Sequence, residues 1–121
     1  MFLLALALAV PTALTETHQR DISCVVEIAV LADAQKRGVA GGIDVQASGR
    51  RWAGIVGDRI MAETGQPREL VAVAMTEAAT ARAGRRVADD AAVVACARQM
   101  ISELAIAEAA NAPLPKPERS K

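Results

Sequence analysis

The groups in this chain with most capacity for chemistry are two cysteines, Cys24 and Cys96, and a thin scatter of carboxylates. The cysteines lie far apart, unlike those of a thiol–disulfide catalyst, which sit two residues apart at an exposed helix start. They fit a structural cross-link, and such a link belongs to an oxidising compartment. In a reducing compartment they would be two buried thiols packing as small hydrophobes. The carboxylates most open to a functional reading are Glu27, Asp58, Glu63 and Glu77. Asp58 and Arg59 border the stretch from Trp52 to Ile60, which carries the one aromatic anchor. A buried acid paired with Arg59 or Arg98 could tune a site. The same charges also read as surface groups or helical i,i+4 pairs. Trp52 reads as the main anchor of the core rather than as a ring that stacks on a ligand.

Other chemistries find little support. The single histidine, His18, reads as a solvated residue in an N-terminal arm. Metal sites need clustered ligands, and one His, two distant Cys and scattered acids do not supply them. No serine stands in a nucleophile-elbow pattern. Gly38, Gly41 and Gly42 follow a predicted helix rather than a strand, so they do not form a phosphate-binding loop. Fourteen basic and fourteen acidic residues give a formal net charge of zero, without the basic face of a nucleic-acid binder. The reading is a non-enzymatic protein with no cofactor, no metal, no nucleic-acid partner and no catalytic residue.

Apolar residues at three- and four-residue spacing predict an all-α, four-helix bundle-like fold. The first helix is expected over 21–37, with Asp21 as cap, Cys24, Val25, Ile28, Leu31 and Ala32 inward, and Gly38 past its end. A glycine-rich loop comes next, with an extended segment at Ile43-Asp44-Val45. The second helix is expected over 48–64, capped by Ser48, with Trp52, Val56 and Ile60 on one face. Gly54 and Gly57 would let a neighbour approach closely. Pro67 opens a third helix over 67–83, with Leu70, Val73, Ala74, Ala78 and Ala81 inward. The fourth spans 90–109, with Val93, Cys96, Ala97, Met100, Ile101 and Leu104 inward. The single helical domain covers 21–110, and the proline-rich residues 111–121 read as a disordered tail.

The chain opens on a short apolar run, Phe2-Leu3-Leu4-Ala5-Leu6-Ala7-Leu8-Ala9-Val10, ended by Pro11. As a helix it would span about 14 Å, about half a bilayer core. It matches the core of a secretory signal peptide over 1–13, with cleavage between 13 and 20, and no membrane span would remain after cleavage. The expected location is periplasmic or secreted. Alanine dominates the rest of the chain, and there is one Trp and no Tyr. Alanine forms helix well but buries little apolar area, so a thin core gives a Cys24–Cys96 link a purpose. Closing a loop of about 70 residues is worth about 4 kcal/mol in the chain-entropy model.

A helix-opening Cys24-Val-Val-Glu-Ile-Ala-Val-Leu-Ala, then Trp52-Ala-Gly-Ile-Val-Gly-Asp-Arg-Ile, then Cys96-Ala-Arg together resemble small exported two-cysteine helical proteins of alphaproteobacteria. The likeness covers most of residues 24–100. It departs from that pattern in the Asp58 between Gly57 and Arg59 and in lacking further aromatics. It implies export and a helical fold, and it carries no catalytic residue. In plan, the chain is also similar to periplasmic acid-stress chaperones, small helical proteins with one disulfide. The expected function is binding of a protein partner or client in the cell envelope. The alternatives are a cytosolic helical interaction domain and a small envelope hydrolase using carboxylates near Trp52.

Overall fold

The computed structural model describes residues 12–84 and 90–111. The apolar leader through Pro11, the Arg85-Arg86 pair and the tail from Ala112 lie outside the described residues. Four helices occur in order: α1 Glu16–Lys36, α2 Gln46–Thr64, α3 Arg68–Ala83 and α4 Asp90–Asn111. The described residues contain no strand, and the all-α, four-helix bundle-like fold is as expected. α1 and α2 form the central pair. Both touch α3 and both touch α4, whereas α3 and α4 do not meet.

The helix ends are set by local chemistry. α1 starts five residues before the expected Asp21, because Thr15 caps it. The Thr15 hydroxyl accepts from the His18 backbone N–H, and the His18 ring accepts from the Thr15 N–H. This is a capping box with histidine in the position usually held by Glu or Gln. Asp21 lies inside α1, where it is buried. At the other end Gly38 takes φ 74°, and its N–H bonds Gln35 O while the Val39 N–H bonds Ala34 O. These two bonds are the Schellman closure, which needs the left-handed residue that glycine supplies.

α2 begins at Gln46, before the expected Ser48 cap. The Asp44 carboxylate accepts from the Gln46 N–H, and Ser48 sits within the first turn. Residues 43–45 form no strand. Gln35 pins this loop instead: its amide donates to Gly41 O and Ile43 O at 3.2 and 2.7 Å and accepts from the Val45 N–H at 2.9 Å. Val45 is thereby carried into the core, fully buried. Pro67 is the N-cap of α3 rather than its first residue.

The core assembles Ile22, Val25 and Ile28 of α1, Trp52, Val56 and Ile60 of α2, Val71 of α3, and Cys96, Ala97, Met100 and Leu104 of α4, with Val45. The Trp52 stripe is as expected, and all three residues are 0% exposed. α3 is turned by about one position. Val71, Ala74, Met75 and Ala78 face inward, while Leu70 and Val73 stand in solvent at 52% and 51% exposure. The turn brings Arg82 down onto Glu27 of α1 at 2.6 Å. That ion pair and the Met75 side chain set the face. In α4, Ile101 likewise stands outside the core, 44% exposed.

Close helix approach occurs at a glycine other than those expected. A Cβ on Gly54 would meet nothing within 4 Å, and one on Gly57 would make ordinary contact with Met75. A Cβ on Gly49 would lie 2.9 Å from Ile28 Cγ2, and Ile28 is 1% exposed, with no room to retreat. Gly54→Ala should therefore stabilise the domain by up to about 1 kcal/mol through helix propensity. Gly49→Ala should destabilise it by about 1–3 kcal/mol through overpacking. Chemical denaturation of the two variants checks both signs.

Candidate functional site

The sequence placed Cys24 and Cys96 on inward stripes of the first and fourth helices, and the structure joins them. They form a disulfide with Cα atoms 5.1 Å apart, closing 72 residues. That separation lies within the usual range for a disulfide. Cys24 lies in the third turn of α1 rather than the first, a consequence of the earlier helix start. The bridge fastens α1 to α4, the one helix pair joined covalently across the core.

Next to it, toward the start of α1 and the end of α4, a polar cluster repeats the connection. Asp21 is three residues before Cys24, and Gln99 and Glu103 are three and seven residues after Cys96, so all share the stripes that carry the bridge. Between them comes Arg59 of α2, next to the core residue Ile60. Its guanidinium forks across the two acids, Nη1 to Glu103 Oε1 at 2.6 Å and Nη2 to Asp21 Oδ2 at 3.0 Å. The Gln99 amide donates to Asp21 Oδ1 at 2.9 Å and to Glu103 Oε2 at 2.8 Å. The Trp52 indole N–H donates to Glu103 Oε1 at 3.1 Å. Among the described residues no buried side-chain nitrogen or oxygen lacks a partner.

The electrostatics reflect this crowding. Burial alone would push the Glu103 carboxyl up. The hydrogen bonds from Arg59, Gln99 and Trp52, with the Arg59 charge, outweigh it and hold the carboxyl below its ordinary value. Burial likewise works against the Arg59 cation, but the hydrogen bond and charge of Glu103, then those of Asp21, prevail and raise its pKa. Glu103 is therefore a weak base and a poor general acid, since a working acid needs a carboxyl pushed up toward the operating pH. Its chemistry is that of a fixed counter-ion.

The carboxylates singled out from the sequence are dispersed. Glu27 pairs with Arg82 rather than with Arg59 or Arg98. Asp58 is solvated, 4.0 Å from Arg68. Glu77 is exposed on α3, and Arg98 is exposed on α4. Glu63 bonds His18 at 2.9 Å. His18 itself corrects the reading of a solvated arm residue: it is 5% exposed within α1. Because its Nδ1 accepts from the Thr15 N–H, its Nε2 carries the hydrogen that faces Glu63. The spacing Thr15-x-x-His18 was the available signal for that role. The arm before it also docks, with the Thr12 N–H on Thr64 O at 2.8 Å and the Gln66 amide on Thr12 O at 2.8 Å. Asp21, Gln99 and Glu103 were missed because only the fold brings them to Arg59.

The grooves between helices are mainly apolar. Val26, Ala29, Val30, Met75 and Ala79 line the one between α1 and α3, where Asp33 is the one acid and pairs with Arg37. Among the described residues, no three His, Cys, Asp or Glu side chains gather to hold a metal. Nor is any described helix long and apolar enough to cross a membrane. Comparison with family models, with curated proteins and with solved structures finds no match.

Two outcomes test the cluster and the bridge. Glu103 is more acidic in the folded chain than in the unfolded one. Its stabilisation is full above the unfolded carboxyl value of about 4.3 and is lost as pH falls through the lower folded value. The thermal midpoint of the wild type should hold down to about pH 5 and fall toward pH 3. Glu103→Gln should be less stable at neutral pH by about 1–3 kcal/mol and show a shallower acid decline. Replacing both cysteines by alanine should remove about 4 kcal/mol, lowering Tm by roughly 20 °C. Calorimetry reads both.

Proposed function

We propose that this chain is an exported, non-enzymatic helical protein that acts in the cell envelope by binding a protein partner or client. The observation that carries the reading is the Cys24–Cys96 disulfide, because such bridges persist in oxidising compartments and are rare where thiols are kept reduced. The apolar residues 2–10 supply a signal-peptide core, and the resemblance to exported two-cysteine helical proteins points the same way. A non-catalytic role is supported by the Arg59 cluster, whose acids are occupied in holding helices together. The unpaired apolar side chains that remain at the surface, among them Val30, Leu70 and Val73, suit contact with another polypeptide.

The docked arm narrows where processing would fall. A cut after Thr15 would remove the α1 cap, and a cut within 16–20 would shorten the helix itself. On this reading cleavage falls no later than Leu14.

Mass measurement of the protein purified from its own host, combined with alkylation before and after reduction, tests the proposal. The expected result is a mature N-terminus at or before Thr15 and two thiols that react with the alkylating agent only after reduction. A retained Met1 together with two thiols alkylated without reduction would overturn it in favour of a cytosolic helical domain.

A further inference from the structure

The first turn of α1 holds a buried titratable group whose protonation state decides a backbone contact. His18 is 5% exposed, and its two ring nitrogens have opposite duties. Nδ1 accepts from the Thr15 N–H at 3.1 Å, and Nε2 donates to Glu63 Oε1 of α2 at 2.9 Å. A neutral imidazole can do both, whereas an imidazolium donates at both nitrogens. A capping box built with Glu or Gln lacks this dependence near neutral pH, because those side chains keep an acceptor oxygen. Just ahead of the box, the arm is held by few contacts. The Thr12 N–H donates to Thr64 O, the Gln66 amide donates to Thr12 O, and half-buried Leu14 packs against the core.

We propose that His18 is a proton-operated latch on the segment 12–15, closed while the ring is neutral and released when the ring takes up a proton. In the closed state a proton on Nδ1 would set two donors face to face at 3.1 Å. Turning the ring brings no relief, since an imidazolium has no acceptor nitrogen. The unpaired N–H groups at the helix start also oppose a cation there. Glu63 has the other effect. Its carboxylate is bonded to Nε2, with its side chain 52% exposed, and it can stay with an imidazolium whether or not Thr15 is in place. The proton is therefore accepted most easily by the state in which Thr15 has left, and acid shifts the population to that state. The other charges nearby do not answer the ring. Arg59 of α2 is held by Asp21 and Glu103, and Asp58 faces Arg68 of α3. Glu16 and Arg20 of α1 and Glu69 of α3 are exposed, and Glu103 and Glu108 of α4 are held by Arg59 and Arg51. Imidazole is the side chain that ordinarily changes charge in the mildly acidic to neutral range. The latch thus opens on mild acidification, before the carboxylates of the Arg59 cluster are challenged. Its release uncovers Leu14 and loosens the first turn of α1 while the core keeps its seat.

Nuclear magnetic resonance of the disulfide-bonded full chain, titrated from about pH 7.5 to about pH 5, tests the latch over the span in which imidazole changes charge. The His18 ring should take up its proton with the same midpoint at which the Thr15 amide loses its hydrogen-bonded shift and amides 13 and 14 gain mobility. The amides of Trp52, Val56 and Ile60 should not move. His18→Gln supplies an oxygen for the Thr15 N–H and an amide nitrogen for Glu63, with nothing to titrate. Its cap should form at neutral pH, and its arm should stay in place over the whole titration. A His18 ring that takes up its proton while the Thr15 amide stays where it was would overturn the latch, as would a ring that stays neutral throughout. A His18→Gln chain whose arm loosens over the same range would also overturn it, since the acid would then be acting on another group.

Discussion

The position of α4 against α1 is the constraint on which the rest of the fold rests. Among the described residues α4 has no contact with α3 and is seated on α1 and α2. Its own share of the core is Cys96, Ala97, Met100 and Leu104, and the many alanines of the rest of the helix contribute little burial on docking. Two devices compensate. The Cys24–Cys96 bridge fixes one level of the α1–α4 seam, and the Arg59 fork fixes the next level by drawing α2 into the same junction. The two differ in kind. The bridge acts chiefly by restricting the unfolded chain, whereas the fork acts by geometry in the folded one. Its planar guanidinium meets two acids only when all three helices are in register.

Charge placed inside a small bundle is costly unless every group is paired. Here the pairing is complete, down to a glutamine whose single amide nitrogen reaches both carboxylates. The Glu27–Arg82 pair repeats the solution between α1 and α3. α1 thus carries an acid toward α4 and another toward α3. Each is answered by an arginine from a different helix, which fixes which neighbour goes on which side.

Much of this plan was legible in the residues alone. The helix count, the Trp52-Val56-Ile60 stripe and the inward placement of both cysteines all come from three- and four-residue periodicity, which needs no knowledge of partners. The failures have physical causes. The start of α1 was missed because its capping box uses histidine, and because Asp21, a good cap by residue type, is taken up by Arg59. The face of α3 was misread because periodicity weights Leu70 and Val73 by their size, while Arg82 on Glu27 decides the rotation. Gly49 rather than Gly54 marks the close approach, since that depends on Ile28 across the interface. The Asp21–Arg59–Gln99–Glu103 cluster joins residues up to 78 positions apart, a distance over which helical spacing carries no information.

The bond from the Trp52 indole to Glu103 has a consequence beyond stability. Trp52 is the single tryptophan, wholly shielded from water, and its nitrogen is tied to the one helix whose seat depends on a cross-link and a charge fork. The emission of that indole depends on the polarity around it. The protein therefore carries an intrinsic optical gauge on the α2–α4 junction, by which loosening of α4 can be followed with no label attached.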